Sequence, residues 1–295
     1  MIKLAFPAAL AAIFVAGSLP AAAAAQDEHD TPAAPLPASA EGTEAMMGGD
    51  YLAVGFGGAL IPTYDGSDDY TFSVLPLIQG SVGGIGISPR PGGAALDLIA
   101  DSGPGPKFAF GPSARIRLNR NGDVKDPVVA LLPERDMALE LGPTVGISFS
   151  RVLHAYDSLA LDVDARWDVL GAHGGMVVSS YLAYTTPLSE GIAAVLAVGG
   201  EYGDDTFMDY YHSVSPADAD TSGLPAFDAS GGIRNLGVQL LLAIDLNGNL
   251  RDKGWGLFAI GGYSRMLGDA ASSPLTSIQG SADQWIAGAG IGYTF

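Results

Sequence analysis

From Tyr51 to Phe295 the chain is built of segments in which apolar positions alternate with polar or small ones, separated by Gly, Pro, Asn and Asp. In residues 137–149 one set is Met137, Leu139, Leu141, Pro143, Val145, Ile147 and Phe149. The other is Ala138, Glu140, Gly142, Thr144, Gly146 and Ser148. In 158–169 Leu159, Leu161, Val163, Ala165, Trp167 and Val169 alternate with Ser158, Ala160, Asp162, Asp164, Arg166 and Asp168. Residues 107–118 and 235–246 repeat the pattern, with Phe108, Phe110 and Ile116 apolar in the first and Leu236, Val238 and Leu240 in the second. Successive side chains of a strand point to opposite faces, so a period of two gives one apolar and one polar face.

These segments run to about 12 residues, longer than the usual soluble strand of about five or six. A tilted membrane strand needs about 9–11. The expected fold class is therefore all-β: a transmembrane antiparallel up-and-down β-barrel of about twelve strands, with ten as the alternative count and a large soluble sheet protein as the competing fold. The predicted strands are 51–60, 71–80, 94–100, 107–118, 137–149, 158–169, 175–186, 191–202, 207–212, 233–246, 254–266 and 284–295. An even number places both chain termini on the periplasmic side. On this register 61–70, 101–106, 150–157, 187–190, 213–232 and 267–283 are outside loops. Segments 81–93, 119–136, 171–174 and 247–253 are periplasmic, and 119–136, long for that side, is a candidate docking surface.

The last strand carries a further signal. Counting back from Phe295 in twos gives Tyr293, Ile291, Ala289, Ala287 and Trp285. A terminal aromatic with apolar alternate positions suits recognition by barrel-assembly machinery, and aromatics at both strand ends suit the two interfacial girdles. Gly288, Gly290 and Gly292 then face the lumen.

Composition narrows the classes. Charged residues are 16% of the chain against 48% hydrophobic, whereas a soluble domain carries about a quarter charged residues. No segment after the first 25 residues approaches the 18 apolar residues of a spanning helix, and a closed barrel also satisfies its backbone within lipid. The net charge of −18 argues against nucleic acid, whose phosphates need clustered Lys and Arg. The absence of cysteine excludes a disulfide framework and a cysteine-linked lipid.

Three domains are expected. Residues 1–25 read as a secretory signal peptide: Lys3, an apolar run from Leu4 to Leu19, then Pro20 and the small residues Ala21–Ala25 before Gln26. Residues 26–49, rich in Ala, Pro, Glu and Asp, read as a disordered periplasmic leader. Residues 50–295 form the barrel. The expected location is the Gram-negative outer membrane, reached by export and cleavage of the signal.

Several motifs resemble one family. Pro62-x-Tyr64-x-Gly66-Ser67-Asp68 follows the first strand. Tyr210-Tyr211-x-Ser213-Val214-Ser215 precedes Ser222-Gly223-Leu224. Arg265-x-Leu267-Gly268-Asp269-Ala270 and Ser273-Pro274 lead into Gly292-Tyr293-Thr294-Phe295. In this order over 51–295 they resemble the MipA/OmpV family, the MltA-interacting proteins. The resemblance implies an outer-membrane barrel. In the best-known member that barrel is a scaffold joining a lytic transglycosylase to a bifunctional peptidoglycan synthase, and other members are described as osmoregulated porins or adhesins.

No catalytic, cofactor-binding or metal-binding constellation is read in the chain, and none of these groups is expected. Gly288-Ala289-Gly290-Ile291-Gly292 lacks the G-x-G-x-x-G spacing and the following helix that a nucleotide site needs. His29, His154, His173 and His212 lack metal-ligand spacing, and there is no G-x-S-x-G elbow. The acidic groups Asp65, Asp68 and Asp69, Asp204 and Asp205, and Asp218 and Asp220 lack a calcium-loop spacing and read as solvated turns, with divalent-cation binding as the alternative.

The informative polar set points inward: Lys107, Arg115, Arg117, Glu140, Asp162, Asp164, Arg166, Asp168, Glu201 and Asp245. Two readings follow, a salt-bridged plug or a charged channel lining, and side chains can fill much of so narrow a barrel. The expected function is a non-enzymatic outer-membrane scaffold linking periplasmic peptidoglycan-remodelling enzymes to the membrane. The alternatives are a narrow channel for small solutes or a surface adhesin acting through the outside loops. The expected partners are outer-membrane lipid, a lytic transglycosylase and a peptidoglycan synthase.

Overall fold

The computed structural model describes residues 49–99, 105–122 and 124–295. The expected signal peptide and nearly all of the expected leader, residues 1–48, lie outside the described residues. Twelve antiparallel strands close into one barrel: β1 (Tyr51–Pro62), β2 (Tyr70–Val82), β3 (Ile85–Arg90), β4 (Gly93–Asp97), β5 (Lys107–Arg117), β6 (Ala138–Ser150), β7 (Ser158–Asp168), β8 (Met176–Ser189), β9 (Ile192–Gly203), β10 (Gly232–Asp245), β11 (Gly254–Met266) and β12 (Asp283–Thr294). Each strand pairs with its sequence neighbours, and β1 closes on β12 in a register from Ala53↔Thr294 to Leu60↔Ala287. Closure removes the free edges that an open sheet would present to lipid.

The alternation read from the sequence holds. On β6 Glu140, Thr144 and Ser148 are buried while Leu141, Val145 and Phe149 are exposed. On β5 Ser113, Arg115 and Arg117 are buried between the exposed Phe108, Phe110 and Ile116. The outer surface is thus apolar, with Phe56, Leu60, Phe72 and Val74 each more than half exposed. Aromatic pairs mark its two edges. Trp255 packs on Tyr293 at 5.2 Å and Tyr293 on Phe295 at 4.8 Å at the end carrying the chain termini, and Tyr263 packs on Trp285 at 4.8 Å at the other. From Trp285 to Tyr293 the chain runs about 26 Å at 3.3 Å per residue, about 20 Å of height at a strand tilt of about 40°, which is close to the apolar band of a membrane barrel. No helix among the described residues is long and apolar enough to cross a membrane.

Two departures from the predicted strands cancel in the count. Residues 207–212, predicted as a strand, lie in helix α1 (Asp205–His212). Phe207, Tyr210 and Tyr211 are strand-favouring residues, but the Asp204 carboxylate accepts from the Phe207 N–H at 2.9 Å and caps a helix start. The six-residue β3 was missed because Gly86 and Pro89 make IGISPR read as a turn. Predicted strand 94–100 is the five-residue β4.

The consequence is topological. Inserting β3 reverses every strand from β4 to β9 relative to the predicted register. Segment 119–136 therefore lies at the end opposite the termini. There Asn119 accepts from the Asp65 N–H at 3.0 Å, and Asp136 donates its N–H to the Tyr210 hydroxyl at 2.8 Å. Segments 150–157 and 187–190, expected outside, lie at the terminal end, where the connections run over 151–157 and 190–191, and 171–174, expected periplasmic, lies at the opposite end. That end carries tight connections such as 83–84 and 190–191, and the opposite end carries the long loops 118–137, 204–231 and 267–282. Bacterial barrels keep short turns and both termini in the periplasm, so the long-loop end is extracellular.

Candidate functional site in the lumen

Inward-facing positions on seven chain segments converge in the extracellular half of the barrel. Five guanidinium groups, Arg90, Arg115, Arg117, Arg166 and Arg234, meet five carboxylates, Asp65, Glu140, Asp162, Asp164 and Glu201, in one connected network. Glu201 on β9 is its centre. Arg117 Nη2 lies 2.9 Å and Arg234 Nε 2.5 Å from Oε1, Arg115 binds the other oxygen, and Ser179 Oγ donates to that oxygen at 3.2 Å. Arg117 Nε also donates to Glu140 at 2.6 Å. Arg166 donates to Asp164 at 2.6 Å, and Arg90 Nε donates to the same carboxylate at 2.8 Å.

Three strands separate β5 from β9 around the ring, and three separate β3 from β7. The Arg117–Glu201 and Arg90–Asp164 pairs therefore cross the lumen rather than lying along its wall. All of these side chains are buried. Equal numbers of opposite charges with converging hydrogen bonds satisfy the condition for burying ions. Breaking one partner of such a pair costs far more than the pair itself contributes.

Above the network sits a folded lid. Helix α1 turns into the barrel mouth and buries Phe207, Met208 and Tyr211. The Arg117 guanidinium stacks 4.7 Å from the Phe207 ring and 5.8 Å from Tyr211, and Arg234 stacks 5.6 Å from Phe207. A second apolar cluster joins Tyr64, Val129, Leu132, Val214, Leu224 and Leu275, drawn from all the long loops of this end. It includes a 3-10 turn (Val129–Leu131) and α4 (Pro274–Ser277), with α2 (Pro216–Ser222) beside it and α3 (Gly268–Ser272) behind α1. Gly66 has φ +100, and a Cβ there would lie 2.3 Å from the Thr276 hydroxyl, so the first loop passes this close to α4 only as glycine.

The lid sets the ionisation of its own groups. Burial works against the Asp65 carboxylate, but Arg234 and Arg117 outweigh it and hold the group below its ordinary range. Burial, together with the positive charge of Arg234, pushes His212 down to about 3, so it is neutral, and neither of its ring nitrogens has a hydrogen-bond partner. Burial raises the Tyr64 phenol well above its usual value.

Of the ten inward residues expected from the sequence, the structure unites Arg115, Arg117, Glu140, Asp162, Asp164, Arg166 and Glu201. The other three do not join. Asp168 accepts from the Leu170 and Gly174 N–H groups in the next turn, and Asp245 from those of Asn247 and Asn249 in the 246–253 turn. Lys107 starts β5 at the periplasmic end. Sequence reading missed Arg90, which lies on the overlooked β3, and Arg234. Strict alternation from Leu236 puts Arg234 on the lipid side, but a bulge between Ile233 and Asn235 turns it inward. Asp65, expected in a solvated acidic turn, is instead buried beside Arg117 and Arg234. The other acidic turns are local: Asp204 caps α1, Asp205 accepts from Gly231, and Asp218 bonds Ser215 at the start of α2.

A closed barrel with an apolar outer band, aromatic girdles and an ion-filled lumen defines an outer-membrane β-barrel protein. Residues 54–295 match the family model described as MltA-interacting protein MipA, and the chain belongs to that family. The motifs that carry the resemblance in the sequence have a structural meaning here. Tyr64, Gly66, Tyr211, Leu224 and Ala270 all pack in the lid. Among solved structures the chain resembles the COG4313 outer membrane channel from Pseudomonas putida F1, at 13% identity and a TM-score of 0.42, over 84% of this chain and 96% of that one. No curated protein matches.

Proposed function

We propose that the protein is a non-enzymatic outer-membrane scaffold, sealed at rest, that holds periplasmic peptidoglycan-remodelling enzymes against the membrane, a lytic transglycosylase of the MltA class first among them. The observation carrying this reading is the Arg117–Glu201 contact across the lumen beneath α1. A barrel spanned by buried ion pairs and capped by a packed lid gives a rigid body rather than a water-filled pore. The family's description supplies the partner class.

The docking surface belongs at the periplasmic end, and turn 151–157 supplies it in place of 119–136. Asp157 accepts from the Val152, Leu153 and His154 N–H groups at 2.7–3.1 Å and from the Tyr184 hydroxyl at 2.7 Å. The turn is thus held rigid while Leu153 is 77% exposed. Arg251 of the neighbouring turn stacks on Tyr156 at 5.6 Å and joins the two into one surface.

Binding of purified MltA-class lytic transglycosylase to the barrel in nanodiscs tests the proposal. Saturable binding, lost in Leu153→Asp with an intact barrel, is expected. Absence of binding, or steady single-channel steps from the wild-type barrel in planar bilayers, would overturn it.

A further inference from the structure

Beneath the ionic layer the lumen changes character. In the periplasmic half a cavity of about 110 Å³ lies among inward residues of β1, β2 and β8–β12. Its wall is mostly apolar, formed by Leu77, Ala193, Val195, Leu241, Ala243 and Phe258, with the Gln79 amide and the Thr185 hydroxyl set into it. Asp245 and Asp252 stand at its rim, and among the described residues no Lys or Arg lines it.

One of these two polar groups stands without a partner. Thr185, on the lumen face of β8 between the buried Ala183 and the end of the strand, is 1% exposed and lines the cavity. Its Oγ1 has no hydrogen-bond partner. A buried hydroxyl left without a partner destabilises the fold, because its desolvation goes uncompensated. Such groups in native proteins are satisfied by something that occupies the space beside them.

We infer that this chamber is a binding site for a neutral, ring-sized amphiphile: an apolar body against Val195, Leu241 and Phe258, and one hydroxyl-type group paired with Thr185 Oγ1. The volume suits a single ring, since an apolar cavity of roughly 150 Å³ accepts benzene. The rim carboxylates set the charge, because an anion entering past Asp245 and Asp252 finds no cation to pair with. The ionic layer closes the chamber toward the outside, so access is from the periplasm. This inference is independent of the scaffold reading, as neither residue set is shared with turn 151–157.

The test uses the barrel in nanodiscs, with 4-fluorophenol, fluorobenzene and 4-fluorobenzoate as probes read by fluorine NMR. Filling variants Ala193→Trp and Leu241→Trp, each checked for heat-modifiable gel mobility, define the lipid background. The expected result is saturable 4-fluorophenol binding absent from whichever filling variant folds, and no binding of the benzoate. Thr185→Val should weaken 4-fluorophenol by about fivefold, the worth of one hydrogen bond, and leave fluorobenzene unchanged. Equal signals from wild type and a folded filling variant overturn the site. Equal effects of Thr185→Val on phenol and fluorobenzene, or binding of the benzoate, overturn the assigned ligand chemistry. If neither filling variant folds, loss of saturable phenol binding on competition by unlabelled phenol, but not by benzoate, supports the site, and its persistence overturns it.

Discussion

Arg117 on β5 reaches across the lumen to Glu201 on β9 at 2.9 Å, while its Nε holds Glu140 at 2.6 Å on the adjacent strand. One guanidinium thus ties two walls of the barrel together, and Glu201 gathers Arg115 and Arg234 to the same point. Replacing Glu201 by Gln keeps the shape but leaves three buried guanidinium groups around a neutral amide. Removal of one partner from a buried ionic group costs about 3–5 kcal/mol. Urea unfolding followed by tryptophan fluorescence should show a loss of that order for Glu201→Gln. Glu201→Ala should also give conductance steps in planar bilayers where the wild type is silent. An unchanged midpoint would mean that the network does not brace the barrel.

The lid should loosen in acid. His212 has a folded value of about 3 against the ordinary 6.5, so the unfolded or displaced lid binds the proton first. Stability from the neutral ring is fully present above about 6.5 and is lost as the pH falls toward 3, since the state that binds more protons gains as pH drops. Asp65, held low by Arg234 and Arg117, adds its loss only below the ordinary carboxylate value. Amide exchange of α1, corrected for its intrinsic pH dependence, should accelerate between pH 6.5 and 4.5. His212→Phe should flatten that interval.

Closure of the barrel depends on glycine at one seam. Gly57 and Gly290 face each other on β1 and β12. A Cβ at Gly290 would sit 2.3 Å from the Phe258 ring and 2.5 Å from the Phe56 carbonyl oxygen, and one at Gly57 2.3 Å from the Ala289 carbonyl oxygen. Gly290→Ala should destabilise the barrel by about 1–3 kcal/mol, the usual cost of overpacking. The heat-modifiable fraction should fall accordingly. Phe258→Leu should restore little, because the backbone clash with Phe56 remains.

The orientation of the middle strands can be read on whole cells. The chain has no cysteine, so single introduced thiols give unambiguous labelling. Leu131→Cys, exposed in the lid, should react with an impermeant maleimide on intact cells. Leu153→Cys, in turn 151–157, should react only after the outer membrane is opened. The reverse result would restore 119–136 to the periplasm.

The strands that were legible in the sequence are those whose two faces meet different solvents. On β6 and β7 lipid selects Leu141, Val145, Phe149 and Leu161 at every second position, and the lumen selects Glu140, Asp162 and Asp164 between them, so the pattern is local and readable. β3 was illegible because six residues with a glycine and a proline carry too few alternations to register. α1 was misread because its aromatics suit a strand as well as a helix, and the deciding signal was a single cap at Asp204. Arg234 escaped because a bulge shifts the phase by one residue, which only the pairing with β9 reveals.

By itself the sequence determined the class of fold, the lipid-facing surface and the existence of an ionic lumen, because each depends on the period-two contrast between neighbouring residues. Which charges meet was decided by the tertiary structure alone. Arg90 reaches Asp164 across 74 positions and Arg234 reaches Asp65 across 169, and partners so far apart are chosen by ring closure and strand order. The same holds for which end each loop occupies: one unrecognised short strand reverses every direction until a second error cancels it. Local patterning fixes what faces lipid, and only the closed ring fixes what faces what.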